Sequence, residues 1–163
     1  MLFRSTWPPP SWSIEDGGST LDTWSQCDGC GGVGITGPPV TLAGANGAFA
    51  FVDDDSPSSE ARMIEGLVTP SFATTGHNNV WLQFRHYYQG LGFAVGEVQI
   101  SVNNGAFVTL TQYTFDSVNG EIQSIDLSAL GANVPNVRIR FFFDDGNEWA
   151  WYWLIDSVRI MGF

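Results

Sequence analysis

From Val80 onward, apolar and polar side chains alternate with a period of two, the spacing that turns one face of an extended chain to a core and the other to water. In residues 80–88, Val80, Leu82, Phe84, His86 and Tyr88 share one face, while Gln83 and Arg85 fall on the other. Residues 97–102 alternate cleanly with Val98, Ile100 and Val102 inward, and Asn103-Asn104-Gly105 then predicts a tight hairpin turn, because Asn-Gly tolerates positive φ. The chain returns through 107–113, and 121–127 reads as a further strand. In 136–143, Val137, Ile139, Phe141 and Phe143 share a face and both arginines lie opposite. A long last strand is expected over 149–161. The first third is vaguer: 11–14 and 48–52 are short strand candidates, and 25–47, poor in apolar side chains and rich in Gly and Pro, reads as one long loop. Short strands about ten residues apart with almost no 3.6-residue stripe predict an all-β sandwich or barrel with essentially no helix beyond a turn. Val98, Ile100, Val102, Val137, Ile139, Phe141 and Ile155 are its expected core.

Composition narrows the function. Of 163 residues, 17 are acidic and 6 basic, every basic one an arginine, for a net charge of −11. Phosphate is repelled by that charge and the arginines are scattered, which argues against nucleic acid as a partner and against an anionic membrane surface. No apolar run approaches the roughly 18 residues of a membrane span. Residues 1–5 read as a non-native stub, since Leu2-Phe3-Arg4-Ser5 matches the translated end of a sequencing adapter, and residues 6–163 as a single domain. No signal peptide is legible before Pro8-Pro9-Pro10, so the chain reads as truncated.

Five segments in order, Leu82-Gln83-Phe84-Arg85-His86-Tyr87-Tyr88, Val98-Gln99-Ile100-Ser101-Val102-Asn103-Asn104-Gly105, Ile125-Asp126-Leu127-Ser128, Val137-Arg138-Ile139-Arg140-Phe141 and Trp151-Tyr152-Trp153-Leu154-Ile155-Asp156-Ser157-Val158, carry a resemblance. Together with Ser11-Trp12-Ser13-Ile14, Ala50-Phe51-Val52-Asp53-Asp54-Asp55 and Gly66-Leu67-Val68-Thr69-Pro70, they resemble the MAM-like, cleaved-adhesin jelly-roll domains of bacterial cell-surface and secreted proteins. The resemblance implies an antiparallel two-sheet β-sandwich of jelly-roll type, an extracellular or cell-surface setting, and a module accompanying larger adhesins, proteases or glycosidases; it implies no reaction. It also implies Ca²⁺ near the Asp53-Asp54-Asp55 run, approached by Asp156 of the last strand. Asp53 and Asp55, alternating along an extended segment, would face one ion and Asp54 water. Family members carry an acid after the first Phe, where this chain has Arg4.

Three further groups hold candidate chemistry. Cys27-Asp28-Gly29-Cys30 lacks a second ligand pair for zinc and the βαβ setting of a redox pair, so a loop-closing disulfide between Cys27 and Cys30 is expected in an oxidising compartment. Trp149, Trp151 and Trp153 alternate with Tyr152, Leu154 and Asp156. Such rings either fill the core or offer flat plates to the C–H faces of sugars, and Trp149, Trp151, Tyr152 and Tyr87 are the ligand-binding candidates. His86 shares an apolar face and reads as a core-edge residue. With no nucleophile elbow, zinc-protease helix or phosphate loop, no catalytic residue is expected. The function expected is non-catalytic binding of carbohydrate or another cell-surface ligand. The alternatives are a structural subunit that self-associates through sheet edges and an accessory domain of a secreted hydrolase.

Overall fold

The computed structural model describes residues 6–19, 22–28, 40–54 and 62–163. Ten strands follow in order: β1 (Ser13–Asp16), β2 (Ser25–Cys27), β3 (Phe49–Asp53), β4 (Ile64–Val68), β5 (Val80–Gln89), β6 (Leu91–Val102), β7 (Val108–Phe115), β8 (Glu121–Asp126), β9 (Val137–Asp144) and β10 (Tyr152–Gly162). One four-residue helix, α1 (Ser128–Gly131), lies between β8 and β9. The strands form two antiparallel five-stranded sheets, ordered β1-β4-β9-β6-β7 and β2-β3-β10-β5-β8. The fold is all-β, as the alternation predicts, and of the two possibilities that strand spacing left open it is the sandwich, as the resemblance implies.

Between the sheets lie Leu82 and Phe84 of β5, Val98 and Ile100 of β6, Val137, Ile139, Phe141 and Phe143 of β9, and Trp153 and Ile155 of β10, all buried. Six of the seven residues expected in the core are fully buried; Val102, at the end of β6, is only partly covered. Trp153 sits at the centre, its ring 5.8 Å from Trp24, 5.7 Å from Tyr113 and 5.9 Å from Phe141. Gly96 leaves room for this cluster: a Cβ there would lie 2.8 Å from Tyr88 Cε2 and 3.1 Å from Trp153 Cε3.

Several local expectations are corrected. The last strand begins at Tyr152, not at Trp149, so the Trp149–Trp151 segment belongs to the connection before it. Strands β2 and β4 fall where the alternation shows nothing: β2 has three residues, and β4 carries Glu65 on its inner face and Gly66 on its outer face. In the turn after β6, Gly105 N donates to Val102 O at 2.9 Å, and the positive φ values fall on Asn103 (51°) and Asn104 (61°). Both central positions of the turn are therefore asparagines, whose short polar side chains tolerate the left-handed region.

On the outer face of the second sheet, Val40 and Leu42 pack over Phe49, Leu154 and Cys27, flanked by Phe51, Tyr87 and Tyr152. Among the described residues this second apolar layer covers part of the face, and Tyr152 at its end is partly buried.

Candidate functional site

Tyr152, the first residue of β10, stands opposite Asp53 of β3 on one side and Gln89 of β5 on the other. Two residues along the same face, Leu154 stands opposite Phe51 and Tyr87. Strand pairing thus assembles a patch from three separate parts of the sequence. The Tyr152 ring lies 5.7 Å from Tyr87 at 75° and 6.3 Å from Phe51 at 50°, and the Trp151 ring meets it edge-on at 6.4 Å and 81°. Such tilted and edge contacts suit the quadrupoles of the rings.

Of the four ligand-binding candidates, Trp151, Tyr152 and Tyr87 therefore come together. Trp151 is 36% exposed and Trp149 66% exposed, while Tyr152 and Tyr87 are partly buried. The core-filling alternative holds for Trp153 alone among the three tryptophans, since its indole is enclosed between the sheets. Burial holds the Tyr152 hydroxyl above the ordinary phenol range, reinforced by the neighbouring Tyr87 hydroxyl and by the carboxylates of Asp116 and Asp53. At neutral pH it is a neutral donor and acceptor beside two acids and the amide of Gln89.

The loop presenting Trp151 is pinned from β3. Asp54 is buried, its Oδ2 accepts the Ala150 N–H at 2.6 Å, and its own N–H donates to Trp151 O at 3.0 Å. Asp54 was expected to face water, but the alternation that points Val52 inward and Asp53 outward turns Asp54 back toward the sandwich end. Sequence reasoning also passed over Phe51, Gln89 and Asp116. Asp116 Oδ1 accepts the Gly90 N–H at 3.0 Å, fixing the turn that follows Gln89.

The carboxylates assigned to calcium are placed differently from the expectation. Asp53 pairs with Tyr152, four positions from Asp156 along β10, a Cα separation of about 13 Å at 3.3 Å per residue. Asp53 and Asp156 therefore do not fit as ligands of one ion, and Asp55 lies outside the described residues. Asp156 is buried, with Oδ1 lacking a hydrogen-bond partner. Among the described residues no group of three or more His, Cys, Asp and Glu side chains is placed to share a metal ion. Cys27 is fully buried and disulfide-bonded, and Cys30 lies outside the described residues.

His86 is enclosed in the core, its Nδ1 accepting from Trp153 Nε1 at 3.3 Å. Burial pushes it down to about 4, against the opposing pull of Glu121, so the imidazole is neutral at physiological pH. No helix among the described residues is long and apolar enough to cross a membrane.

No protein-family profile and no curated protein matches this sequence. Solved structures do match by fold. The K1 cleaved adhesin domain of Lys-gingipain from Porphyromonas gingivalis W83 superposes with a TM-score of 0.63 at 16% identity, over 95% of this chain and 92% of that one. The K3 cleaved adhesin domain of the same protein gives 0.59 at 14% identity, over 94% and 93%. TmCBM61, solved in complex with β-1,4-galactotriose, gives 0.60 at 8% identity, over 94% and 90%. At these identities the likeness establishes the fold: this chain is a β-sandwich of the kind seen in cleaved adhesin domains and carbohydrate-binding modules. The MAM-like label finds no counterpart among these structures.

Proposed function

We propose that the chain is a non-catalytic, extracellular or cell-surface module that binds a saccharide on the Trp151–Tyr152–Tyr87 patch. The observation that carries this reading is the row across β3, β10 and β5, in which an aromatic ring stands between a carboxylate, Asp53, and an amide, Gln89. Sugars offer apolar C–H faces and hydroxyl edges, and a site for them needs flat apolar plates beside short polar groups. The exposed face of Trp151 supplies a plate, and Asp53, Gln89 and the Tyr152 hydroxyl supply polar contacts. The fold shared with TmCBM61 supports the reading, and the galactotriose in that complex is the first probe.

A glycan array tests it. Wild-type protein is expected to be retained on a restricted set of glycans, and Trp151→Ala to lose that retention by about tenfold or more, on the order of 1.4 kcal/mol. No retention of wild type, or equal retention of the variant, would overturn the assignment.

One observation favours a second reading, self-association. Strand β7 is the edge of the first sheet, its eight residues carry no charge, and Val108 and Phe115 on it are 53% and 71% exposed. An uncharged, apolar edge is a template for another strand. Light scattering that shows concentration-dependent polymers abolished by Thr111→Lys would favour it; a monomer at every concentration would dismiss it.

A further inference from the structure

On the opposite outer face of the sandwich, two arginines converge on one phenyl ring. Arg138 and Arg140 project outward from β9, with guanidinium carbons 5.4 Å and 4.1 Å from the centroid of Phe107, and Arg140 also lies 5.1 Å from Phe142. Arg140 is engaged at two nitrogens: Nη1 donates to Glu15 Oε2 and Nε to Gln99 Oε1, each at 2.6 Å. Gln99 Nε2 in turn donates to Glu97 Oε2 at 2.5 Å, and Thr109 Oγ1 donates to the same oxygen at 2.8 Å. A polar chain therefore runs across β1, β9, β6 and β7, and its members are held in place before any ligand arrives.

Arg138 is the exception. No carboxylate among the described residues lies within ion-pair distance of it, and its Nε is buried without a hydrogen-bond partner. It stands beside the ion-paired Arg140 as a second cation with no acid of its own among the described residues. What answers a guanidinium best is a planar carboxylate, taken by two parallel N–H groups. The ring of Phe107 beside it suits the C–H face of a sugar.

We propose that Arg138, with Phe107, forms a second saccharide subsite that takes a carboxylate-bearing sugar, a uronic acid residue of an acidic glycan. It rests on the reading of the chain as a saccharide binder, but uses the other face of the sandwich and a different chemistry.

Calorimetric titration of the whole chain with trigalacturonic acid and with its methyl ester, which has the same sugars without the charge, tests this. Wild type is expected to bind the acid at least tenfold more tightly than the ester. Arg138→Gln should abolish that preference, Arg138→Lys should keep part of it, and Trp151→Ala should leave it intact. Equal binding of acid and ester by wild type, a preference that survives in Arg138→Gln, or one lost in Trp151→Ala instead would overturn the subsite. Galactotriose, titrated in parallel, separates the two claims: if it binds through Trp151 while the acid shows no preference, the subsite fails and the proposed function stands. If neither the acid nor galactotriose binds, both fail.

Discussion

Glu65 faces inward from β4 with no exposed surface, its Oε2 accepting from Thr23 Oγ1 at 2.5 Å and its Oε1 without a partner. Burial, with a smaller push from Asp16, raises its pKa from an ordinary 4.5 to about 7, against the opposing Thr23 bond. The folded state then holds this proton more tightly than the unfolded one. The associated stability is complete below pH 4.5 and lost as pH rises to 7. His86 works in the other direction, because its folded pKa near 4 lies below the ordinary 6.5, so stability is lost as pH falls through that window. The two slopes largely offset each other in the wild type. Glu65→Gln removes one of them: relative to wild type its melting temperature should be nearly unchanged at pH 4.5 and higher by about 5 °C at pH 8, from up to about 3 kcal/mol of relieved burial. Melts at the two pH values check this, and an equal shift at both would mean that Glu65 titrates normally. Asp54 is a residue whose importance lies in what it holds. Asp54→Asn keeps the shape but weakens the bond to the Ala150 N–H, at a cost of about 1–2 kcal/mol. Because Trp151 follows directly, glycan affinity should fall together with melting temperature, whereas a purely structural role would lower the melting temperature alone.

At the level of strands, legibility followed burial. Strands β5 and β9, with one face in the core and the other only partly buried along their whole length, printed their alternation on the sequence. Strand β10 printed it only to Asp156, where a register shift before Arg159, with Ser157 at φ 55°, returns Val158 to the core out of phase. Strand β4 was hidden because its centre pairs a buried acid with a glycine, whose missing Cβ leaves room for the Glu15 carboxylate 2.9 Å from where that Cβ would lie. The candidate site was half legible for the same reason. The aromatic density around Trp151 is a property of one segment, whereas Phe51 and Gln89 join it only through register across three strands, which no local pattern records. Gly96 tests the packing behind the site. Gly96→Ala forces a Cβ against the rings of Tyr88 and Trp153 and should cost about 1–3 kcal/mol, read by denaturant titration. A neutral effect would show that the aromatic core can yield.

The molecule as a whole presents two unlike outer faces. One carries Tyr87, Tyr152, Trp151 and a partial cover from residues 40–45; the other carries an arginine-centred polar chain over two phenyl rings. Between them the core is closed by Trp153, which touches neither face, so a ligand on one side meets a different set of rings from a ligand on the other. Indole nuclear magnetic resonance exploits that separation and tests the central claim most directly. On titration with a neutral glycan selected by the array, or with galactotriose, the Nε1–H signal of Trp151 is expected to shift progressively while those of the buried Trp24 and Trp153 stay in place. A glycan that binds yet leaves the Trp151 signal unmoved would contradict the account, because the sugar would then sit somewhere other than the Trp151–Tyr152–Tyr87 patch.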